Sequence, residues 1–151
     1  MGERRRRLVV DTSVAVKFYL PEKGSESAEV LLEASGAGAL DLIAPSTILA
    51  EGHNAIYRQA RRGDITPEDA HAAWADLFHA PVYTYAPEDL IERADALYHE
   101  SGALIYDALF LALAEETDTV MVTDDGRLLR TIEGTAHASL ACSLDAVREL
   151  L

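Results

Sequence analysis

Carboxylates stand at the ends of two short apolar runs in this chain. Asp11 directly follows Leu8-Val9-Val10, and Asp124 and Asp125 directly follow a run that ends at Thr123. A continuous apolar run of this length is typical of a strand buried on both faces of a parallel sheet. Because chemistry in such sheets collects at the carboxyl ends of the strands, we expect these acids to lie at a functional edge.

Two further carboxylates interrupt apolar helical patterns. Glu51 lies in the second turn of a predicted helix with mostly apolar neighbours, too far from Ser46 to complete a capping box. Asp107 stands in the almost entirely apolar segment 103–113, which predicts a helix that is buried nearly all round. An unpaired buried carboxylate is costly, so each acid needs a partner or a cation. The structural alternative for Asp11 and Asp107 is a helix cap or a first-turn acid.

Taken together, these acids predict a site for a divalent metal ion. Carboxylates that converge without a nearby lysine or arginine repel one another unless a cation is shared, and Mg²⁺ or Mn²⁺ suits oxygen ligands. The histidines show no HExxH pattern and no companion cysteine pair, which disfavours zinc. The sequence also lacks a phosphate-binding loop, a dinucleotide fingerprint and a nucleophile elbow.

The chain is strongly acidic, and the acidity is concentrated in one stretch. The formal net charge is -13, and residues 64–125 hold 15 acidic residues against a single basic one, Arg93. Indiscriminate nucleic-acid binding draws its affinity from Lys and Arg, so it is disfavoured here. Any nucleic acid must be met locally, through metal ions or through two basic clusters, Arg4 to Arg7 and Arg58, Arg61 and Arg62.

The elements that position these residues alternate between strand and helix. A length of 151 residues fits one domain with one core. Strands are predicted at 8–10, 40–44, 82–85, 119–123 and 138–141, and helices at 14–19, 25–33, 46–62, 66–80, 87–101, 105–116, 125–131 and 144–150. This order predicts an α/β sandwich with a mainly parallel sheet.

The sequence favours a cytoplasmic protein without a membrane span. No apolar run approaches the roughly 18 residues that a membrane span needs, and the start of the chain does not resemble a secretion signal. The single cysteine, Cys142, excludes an intrachain disulfide and fits a reducing compartment.

In their order along the chain, the motifs resemble those of the PIN-domain ribonucleases, in particular the VapC-type toxins of prokaryotic toxin–antitoxin pairs. The resemblance is carried by Val9 to Val14 with Lys17 and Pro21-Glu22, by Ala44-Pro45-Ser46 leading to Glu51 and Asn54, by Tyr106 to Ala114, and by Val122 to Asp125. It implies a single PIN-like domain over residues 1–151, folded as a three-layer α/β/α sandwich.

The resemblance also implies roles for individual residues. The acidic quartet that would bind metal and carry catalysis matches Asp11, Glu51, Asp107 and Asp125, with supporting hydroxyls at Thr12, Ser13 and Thr123. The family spacing Thr-x-Asp favours Asp125 over Asp124 as the fourth acid. Extended geometry from Thr123 agrees, since it leaves Asp124 pointing away as a solvated or helix-capping acid. Gly52 departs from the family, in which an aliphatic residue often follows the glutamate.

The mechanism implied by the family uses one or two Mg²⁺ or Mn²⁺ ions. The ions would polarise the scissile phosphate, lower the pKa of a bound water and neutralise the leaving oxygen, which yields a 5′-phosphate and a 3′-hydroxyl. Basic side chains that would steer the RNA strand are Lys17, Arg58, Arg61, Arg62 and Arg127, although each alone also fits a solvated surface. Implied partners are an antitoxin and a second copy of the chain. Candidate contacts are the apolar helical surface around Val16, Leu31 and Leu32 or that around Trp74, Leu77 and Phe78, although a core role is also expected for most of these residues.

Two other functional classes remain open. A catalytically inactive PIN-like module that binds RNA or protein is one, although acids at all four positions favour an enzyme. A Mg²⁺-dependent phosphatase or receiver-like domain is the other, since an acid after the first strand also begins those sites. Phosphatases of that kind carry Asp-x-Asp, whereas residue 13 here is Ser13, and the late lysine of receivers is missing.

Overall fold

Five parallel strands form the centre of the fold in residues 5–151, the part of the chain that the computed structural model describes. The strands are β1 (Arg6–Val10), β2 (Leu40–Pro45), β3 (Val82–Tyr85), β4 (Met121–Thr123) and β5 (Ala141–Ser143). They lie in the order β3-β2-β1-β4-β5, and every neighbouring pair is parallel. The predicted parallel sheet is confirmed.

Helices cover both faces of this sheet. They are α1 (Thr12–Ala15), α2 (Ser25–Gly36), α3 (Ile48–Arg61), α4 (Pro67–Phe78), α5 (Ile91–Ser101), α6 (Ile105–Glu116), α7 (Gly126–Ile132) and α8 (Val147–Leu150). Successive side chains of a strand point to opposite faces, and Leu8, Val9 and Val10 are all fully buried, so both faces of β1 are covered. This confirms the three-layer α/β/α sandwich. None of the described helices is both long and apolar enough to cross a membrane.

Helix α6 is the most deeply buried helix of the described chain, and it carries Asp107. All seven residues from Ala108 to Ala114 are buried, and the helix contacts β1, β2 and β4. Asp107 lies in its first turn, where the helix leaves the core. The apolar pattern of residues 103–113 therefore predicted both the helix and its burial.

The signals for helix ends are confirmed in detail. Thr66 caps α4 by accepting a hydrogen bond from the Asp69 backbone N–H at 3.0 Å. Gly63 and Gly102 follow the ends of α3 and α5 with φ of +80°, a conformation that glycine adopts without steric cost. The predicted helix over 87–101 is interrupted, since residues 87–89 form a 3-10 turn before α5 begins.

Two predicted strands are displaced along the chain. The strand predicted over 119–123 begins only at Met121, because the chain is still turning at Asp118, whose φ is +53°. The strand predicted over 138–141 is largely wrong, since Ala138–Leu140 forms a 3-10 turn and the strand is Ala141–Ser143. Both strands are three residues long, too short for alternation to define their bounds.

The strand order creates a crevice where the chain reverses direction across the sheet. From β1 the chain adds β2 and β3 on one side, and then returns to add β4 and β5 on the other side. The carboxyl ends of β1 and β4 flank this switch point, where ligands bind in open α/β sheets. Asp11 follows β1 here, and its backbone N–H donates to the Val122 carbonyl at 3.3 Å.

The amino-terminal basic cluster lies away from this crevice. Arg5 and Arg6 stand at the amino end of β1, about 16 Å from its carboxyl end at roughly 3.3 Å per residue. Arg5 pairs with Asp41 at 3.5 Å, and Arg6 donates to the Leu150 carbonyl. Arg4, which belongs to the same predicted cluster, lies outside the described residues. Arg5 and Arg6 therefore do not line the acidic crevice.

Gly52 allows helices α3 and α4 to approach closely. A Cβ added at Gly52 would stand 2.3 Å from Cδ2 of Leu77, and real Cβ atoms do not approach other atoms so closely. Gly52 is buried in α3, while Leu77 is buried in α4. An aliphatic residue at position 52 would therefore force the buried Leu77 side chain, or α4 with it, to shift, which accounts for the departure from the family pattern.

We expect Gly52→Ala to lower the free energy of unfolding by about 1–2 kcal/mol. Overpacking costs about 1–3 kcal/mol, whereas alanine improves helix propensity by up to about 1 kcal/mol. In a Leu77→Ala background the obstructing atoms are gone, so Gly52→Ala should be neutral or stabilising there. Urea unfolding of the four chains measures this coupling, and additive effects of the two substitutions would contradict it.

Candidate active site

Asp11 lies at the centre of the crevice, and three neighbours donate hydrogen bonds to its carboxylate. Its side chain is only 6% exposed. It accepts hydrogen bonds from the Ser13 hydroxyl at 2.6 Å and from the Val14 backbone N–H at 3.2 Å, and its other oxygen accepts from the Thr123 hydroxyl. The structural alternative, a cap for α1, is thus also realised. The bonds fix the carboxylate between the ends of β1 and β4.

Glu51 enters the same region from α3 with half of its carboxylate unpartnered. Its Oε2 accepts from the Thr12 hydroxyl at 3.1 Å. Its Oε1 is buried and has no hydrogen bond of ordinary length and angle among the described residues, and the same holds for the hydroxyl of Thr47, which is nevertheless near enough to Glu51 to oppose the rise in its pKa. Thr47 immediately precedes α3, and its side chain makes no capping bond to that helix. A buried orphan oxygen on a carboxylate is the kind of atom that a cation satisfies.

Asp107 and Asp125 line one pocket on the other side of the crevice. They share it with Arg127 and with residues of the segment that precedes α6. Asp125 caps α7, since its Oδ1 accepts from the backbone N–H groups of Arg127 at 3.0 Å and of Leu128 at 3.2 Å. Of the two roles expected for Asp124, a solvated acid or a helix cap, the cap is made by Asp125 instead, and Asp124 is exposed.

Asp124 is turned toward a buried lysine. Its Oδ2 lies 3.3 Å from Nζ of Lys17, which is also 2.9 Å from Oε2 of Glu22 and is only 8% exposed. Gln59 of α3 donates to the other oxygen of Glu22. Burial alone would lower the pKa of Lys17, but the two carboxylates outweigh it and raise that pKa. Lys17 thus joins α3 to the loop after β4, a position that does not favour the predicted contact with RNA.

Three of the acids are buried without enough nearby positive charge to neutralise them. Burial raises the pKa of Asp11 to about 6, although hydrogen bonds from Ser13, Thr123 and Val14 oppose the shift. Burial also raises the pKa of Glu51, against the bond from Thr12, and that of Asp107, to which the Asp125 carboxylate adds. The Asp107 carboxylate in turn raises the pKa values of Asp11 and Glu51. The acids therefore form one electrostatic cluster.

The residues of this cluster fit a divalent cation by their chemistry. They offer hard carboxylate oxygens, one of them buried without a partner, in a region where charge is poorly compensated. Within residues 5–151, however, no three His, Cys, Asp or Glu side chains already form a ready metal-binding group. A bound ion would therefore draw these side chains together. Its positive charge would relieve the repulsion among the carboxylates, which favours that movement.

The predicted arginines occupy the exposed part of α3. Arg58, Arg61 and Arg62 are exposed, and Arg58 follows Glu51 by seven residues, which places it two turns along the same face. Arg127 lies in the pocket of Asp107, and its charge opposes the rise in the pKa of that acid.

The sequence patterns predicted no role in the site for two nearby side chains, Thr47 and Tyr106. Thr47, Asn54 and Tyr106 border a second pocket beside Glu51. Thr47 precedes Glu51 by four residues, a spacing that places both on one helix face and that would have identified it. Tyr106 is 59% exposed although it precedes the buried stretch of α6, and an apolar pattern gives no signal for such an orientation.

The fold and the acid-lined crevice define a class of protein. The PIN domain family model matches residues 8–133 of the chain, which include all four predicted acids. The chain belongs to the PIN-domain family.

One relative and two solved structures are similar to the chain and indicate a narrower group within this family. The chain is 33% identical over 127 residues to Ribonuclease VapC3 of Pyrobaculum aerophilum, covering 81% of this chain and 92% of that protein. The crystal structure of PAE2754 from the same organism has a TM-score of 0.67 at 20% identity and covers 96% of this chain and 95% of that one. VapBC2 of Rickettsia felis, solved with a DNA fragment from its promoter, has a TM-score of 0.59 at 15% identity and covers 91% and 98%. These matches confirm the resemblance that the sequence motifs carry to PIN-domain ribonucleases of VapC type.

We expect the burial of Asp11 to destabilise the metal-free chain at neutral pH. Its folded-state pKa of about 6 exceeds the ordinary 3.8, so folding favours the protonated form. The stabilisation is therefore present below pH 4 and is lost as the pH rises to about 6, a change of about 3 kcal/mol. Asp11→Asn should be more stable than the wild type at pH 7 and nearly equal to it at pH 4.

Denaturant unfolding in the presence of a chelator, at pH values from 4 to 7.5, tests this expectation. The difference between the two chains isolates Asp11 from the other titrating groups. A constant difference across the whole range would show that the Asp11 carboxylate is not desolvated as described.

Proposed function

We propose that the chain is a Mg²⁺- or Mn²⁺-dependent endoribonuclease that cleaves single-stranded RNA in the cytoplasm and acts as the toxin of a type II toxin–antitoxin pair. The observation that supports the metal most directly is the buried, unpartnered Oε1 of Glu51 beside two other acids of raised pKa. Membership of the PIN-domain family and likeness to a ribonuclease support the choice of RNA.

The chain's own residues would hold the ion and aim it. Asp11, Glu51 and Asp107 are the proposed ligands, and the hydroxyls of Thr12, Ser13 and Thr123 orient two of them. When bound, such an ion supplies positive charge to the scissile phosphate and acidifies a water molecule. Arg127 stands at the pocket of Asp107 and is placed to hold a neighbouring phosphate.

Asp125 would be a peripheral member of the quartet. Its Oδ1 is committed to two backbone N–H groups of α7, which leaves Oδ2 for an ion or a bound water. The capping bonds also hold the carboxylate at the mouth of the pocket of Asp107. The ion pair between Asp124 and Lys17 supports the choice of Asp125 rather than Asp124 for this role.

We further propose an antitoxin partner and a homodimer. The relative from R. felis is a VapBC pair, and this chain presents apolar side chains beside its acids. Leu104 lines the pocket of Asp107 and is 60% exposed, and Tyr106 borders the pocket beside Glu51 and is 59% exposed. A partner segment that covers them would bury apolar surface and close the pocket to RNA.

Replacing Asp107 by asparagine tests the proposed activity. The variant keeps the shape of the side chain but removes its charge, so we expect RNA cleavage with Mn²⁺ or Mg²⁺ to fall by roughly 100-fold or more. Asp89→Asn is the matched control, because Asp89 is exposed and does not line the pocket. Cleavage of a labelled single-stranded RNA is measured with metal and with a chelator.

Equal metal-dependent rates in Asp107→Asn and the wild type would contradict the assignment of the site. A wild-type chain that binds RNA but never cleaves it would instead support the inactive PIN-like module.

Asparagine substitutions of the two neighbouring acids after β4 should have different effects on metal affinity. Asp125→Asn should weaken Mn²⁺ binding several-fold while keeping its helix cap, because asparagine caps as well as aspartate. Asp124→Asn should leave Mn²⁺ affinity unchanged and cost about 1 kcal/mol of stability through its ion pair with Lys17. Calorimetric Mn²⁺ titration of both variants decides between them, and the opposite pattern would move the fourth acid to Asp124.

A further inference from the structure

Four aromatic side chains form a continuous row across α3 and α4, outside the acidic crevice. Tyr57 stacks on His53 with ring centroids 4.5 Å apart, His53 meets Trp74 edge-on at 4.9 Å, and Trp74 lies 6.0 Å from Phe78. We call His53, Tyr57, Trp74 and Phe78 the aromatic ladder. Phe78 is 57% exposed and His53 is also exposed, so the row is open to solvent at the surface.

The core accounts for only part of this row, since Tyr57 and Trp74 are partly buried against it whereas His53 and Phe78 are exposed. The contact between α3 and α4 is made beneath the row by buried residues, among them Gly52, Ile56, Ala73 and Leu77. Exposed apolar surface arranged contiguously marks an interaction site more often than apolar residues scattered singly. The ladder therefore fits a binding partner that carries flat apolar groups.

Charge around the ladder identifies the kind of partner. Although the chain as a whole carries -13, residues 52–63 contain no acid and three arginines, Arg58, Arg61 and Arg62. These three side chains are exposed, and none pairs with a carboxylate among the residues that the structure describes. A polyanion that also carries flat apolar groups matches this surface, and single-stranded nucleic acid is such a molecule.

On α4 two of the three acids lie away from the ladder. Trp74 and Phe78 are four residues apart and share a face with the exposed His71. Asp69 and Asp76 project from the other side of the helix, where they line a separate pocket with Tyr19. The third acid, Glu68, lies one turn before His71 at the amino end of α4. A nucleic-acid strand that lies along Trp74 and Phe78 would therefore meet histidines and arginines, and a carboxylate only beyond His71.

The ladder is within reach of a strand that occupies the proposed active site. Glu51 and Arg58 lie on the crevice side of α3, whereas His53 and Tyr57 lie on the side that faces α4. Arg61 falls between them on the exposed surface by its helical angle. With a helix diameter of about 10–12 Å, a few nucleotides suffice to cross α3 from one side to the other.

We propose that the aromatic ladder is a stacking platform for bases of the RNA strand that flank the cleaved bond, with Arg58 and Arg61 holding its backbone. This inference rests on the proposed ribonuclease function. A second copy of the chain is a poorer occupant of the same surface. A two-fold contact through it would bring the arginines of both copies together without acids to pair with them.

The only tryptophan of the chain, Trp74, reports directly on the ladder. The probe is an unstructured single-stranded RNA of about ten nucleotides, added to the Asp107→Asn chain so that binding is measured without cleavage. We expect quenching of Trp74 fluorescence. Phe78→Leu and His53→Ala in the same background should weaken binding about five- to tenfold, as base–aromatic stacking predicts.

Phe78→Leu keeps an apolar surface residue while it removes the ring, and circular dichroism confirms that each variant is folded. Tyr83→Ala is the control, because Tyr83 is 63% exposed on β3 and lies outside the ladder, and its RNA affinity should not change. In the wild-type background, Phe78→Leu should raise KM for the RNA without changing kcat.

The outcomes separate this inference from the function on which it rests. Loss of affinity in the ladder variants supports the platform, even if the wild-type chain cleaves no RNA and the proposed enzyme fails. Wild-type RNA affinity in Phe78→Leu and His53→Ala overturns it. If those variants instead change the mass measured by light scattering or lose binding of a partner protein, the ladder is a protein interface and the inference is wrong.

Discussion

Desolvation of the Asp11 carboxylate is the constraint on which the arrangement of the site depends. The side chain is buried where β1 ends, and water is replaced by two hydroxyls and one backbone N–H. None of these donors carries a positive charge, and the pKa stays high at about 6. Asp107 lies near enough to raise it further. The fold thus maintains an unfavourable concentration of negative charge, which a bound cation would relieve.

Sequence patterns predicted the elements well because their causes are local. The buried strand before Asp11, the apolar helix around Asp107 and the stop at Gly63 each depend on neighbouring residues. The ion pair between Lys17 and Asp124 was not predictable, since it joins residues more than a hundred positions apart. For the same reason the sequence could not show which of the two acids caps α7. The Asp124 carboxylate pairs with the distant Lys17, and that of Asp125 caps the helix.

Acidic and basic residues are concentrated in different helices and loops of this chain. The long acidic stretch supplies Asp107 and the loop after β4, whereas α3 carries Glu51 and three exposed arginines. Helix α3 therefore contributes to the acidic crevice at one end and to a basic surface at the other. Such an arrangement lets an acidic protein approach a polyanion from one direction only, and salt would screen that approach.

The order of strands has a consequence for the chain during its synthesis. β4 adds beside β1 only after β2 and β3 have been made, so Thr123 meets Asp11 across 112 positions of sequence. A nascent chain that stops before residue 123 exposes Asp11 without that hydroxyl and without Asp125. The pocket therefore cannot be assembled on a partial product, and the site is complete only after nearly the whole domain has emerged from the ribosome.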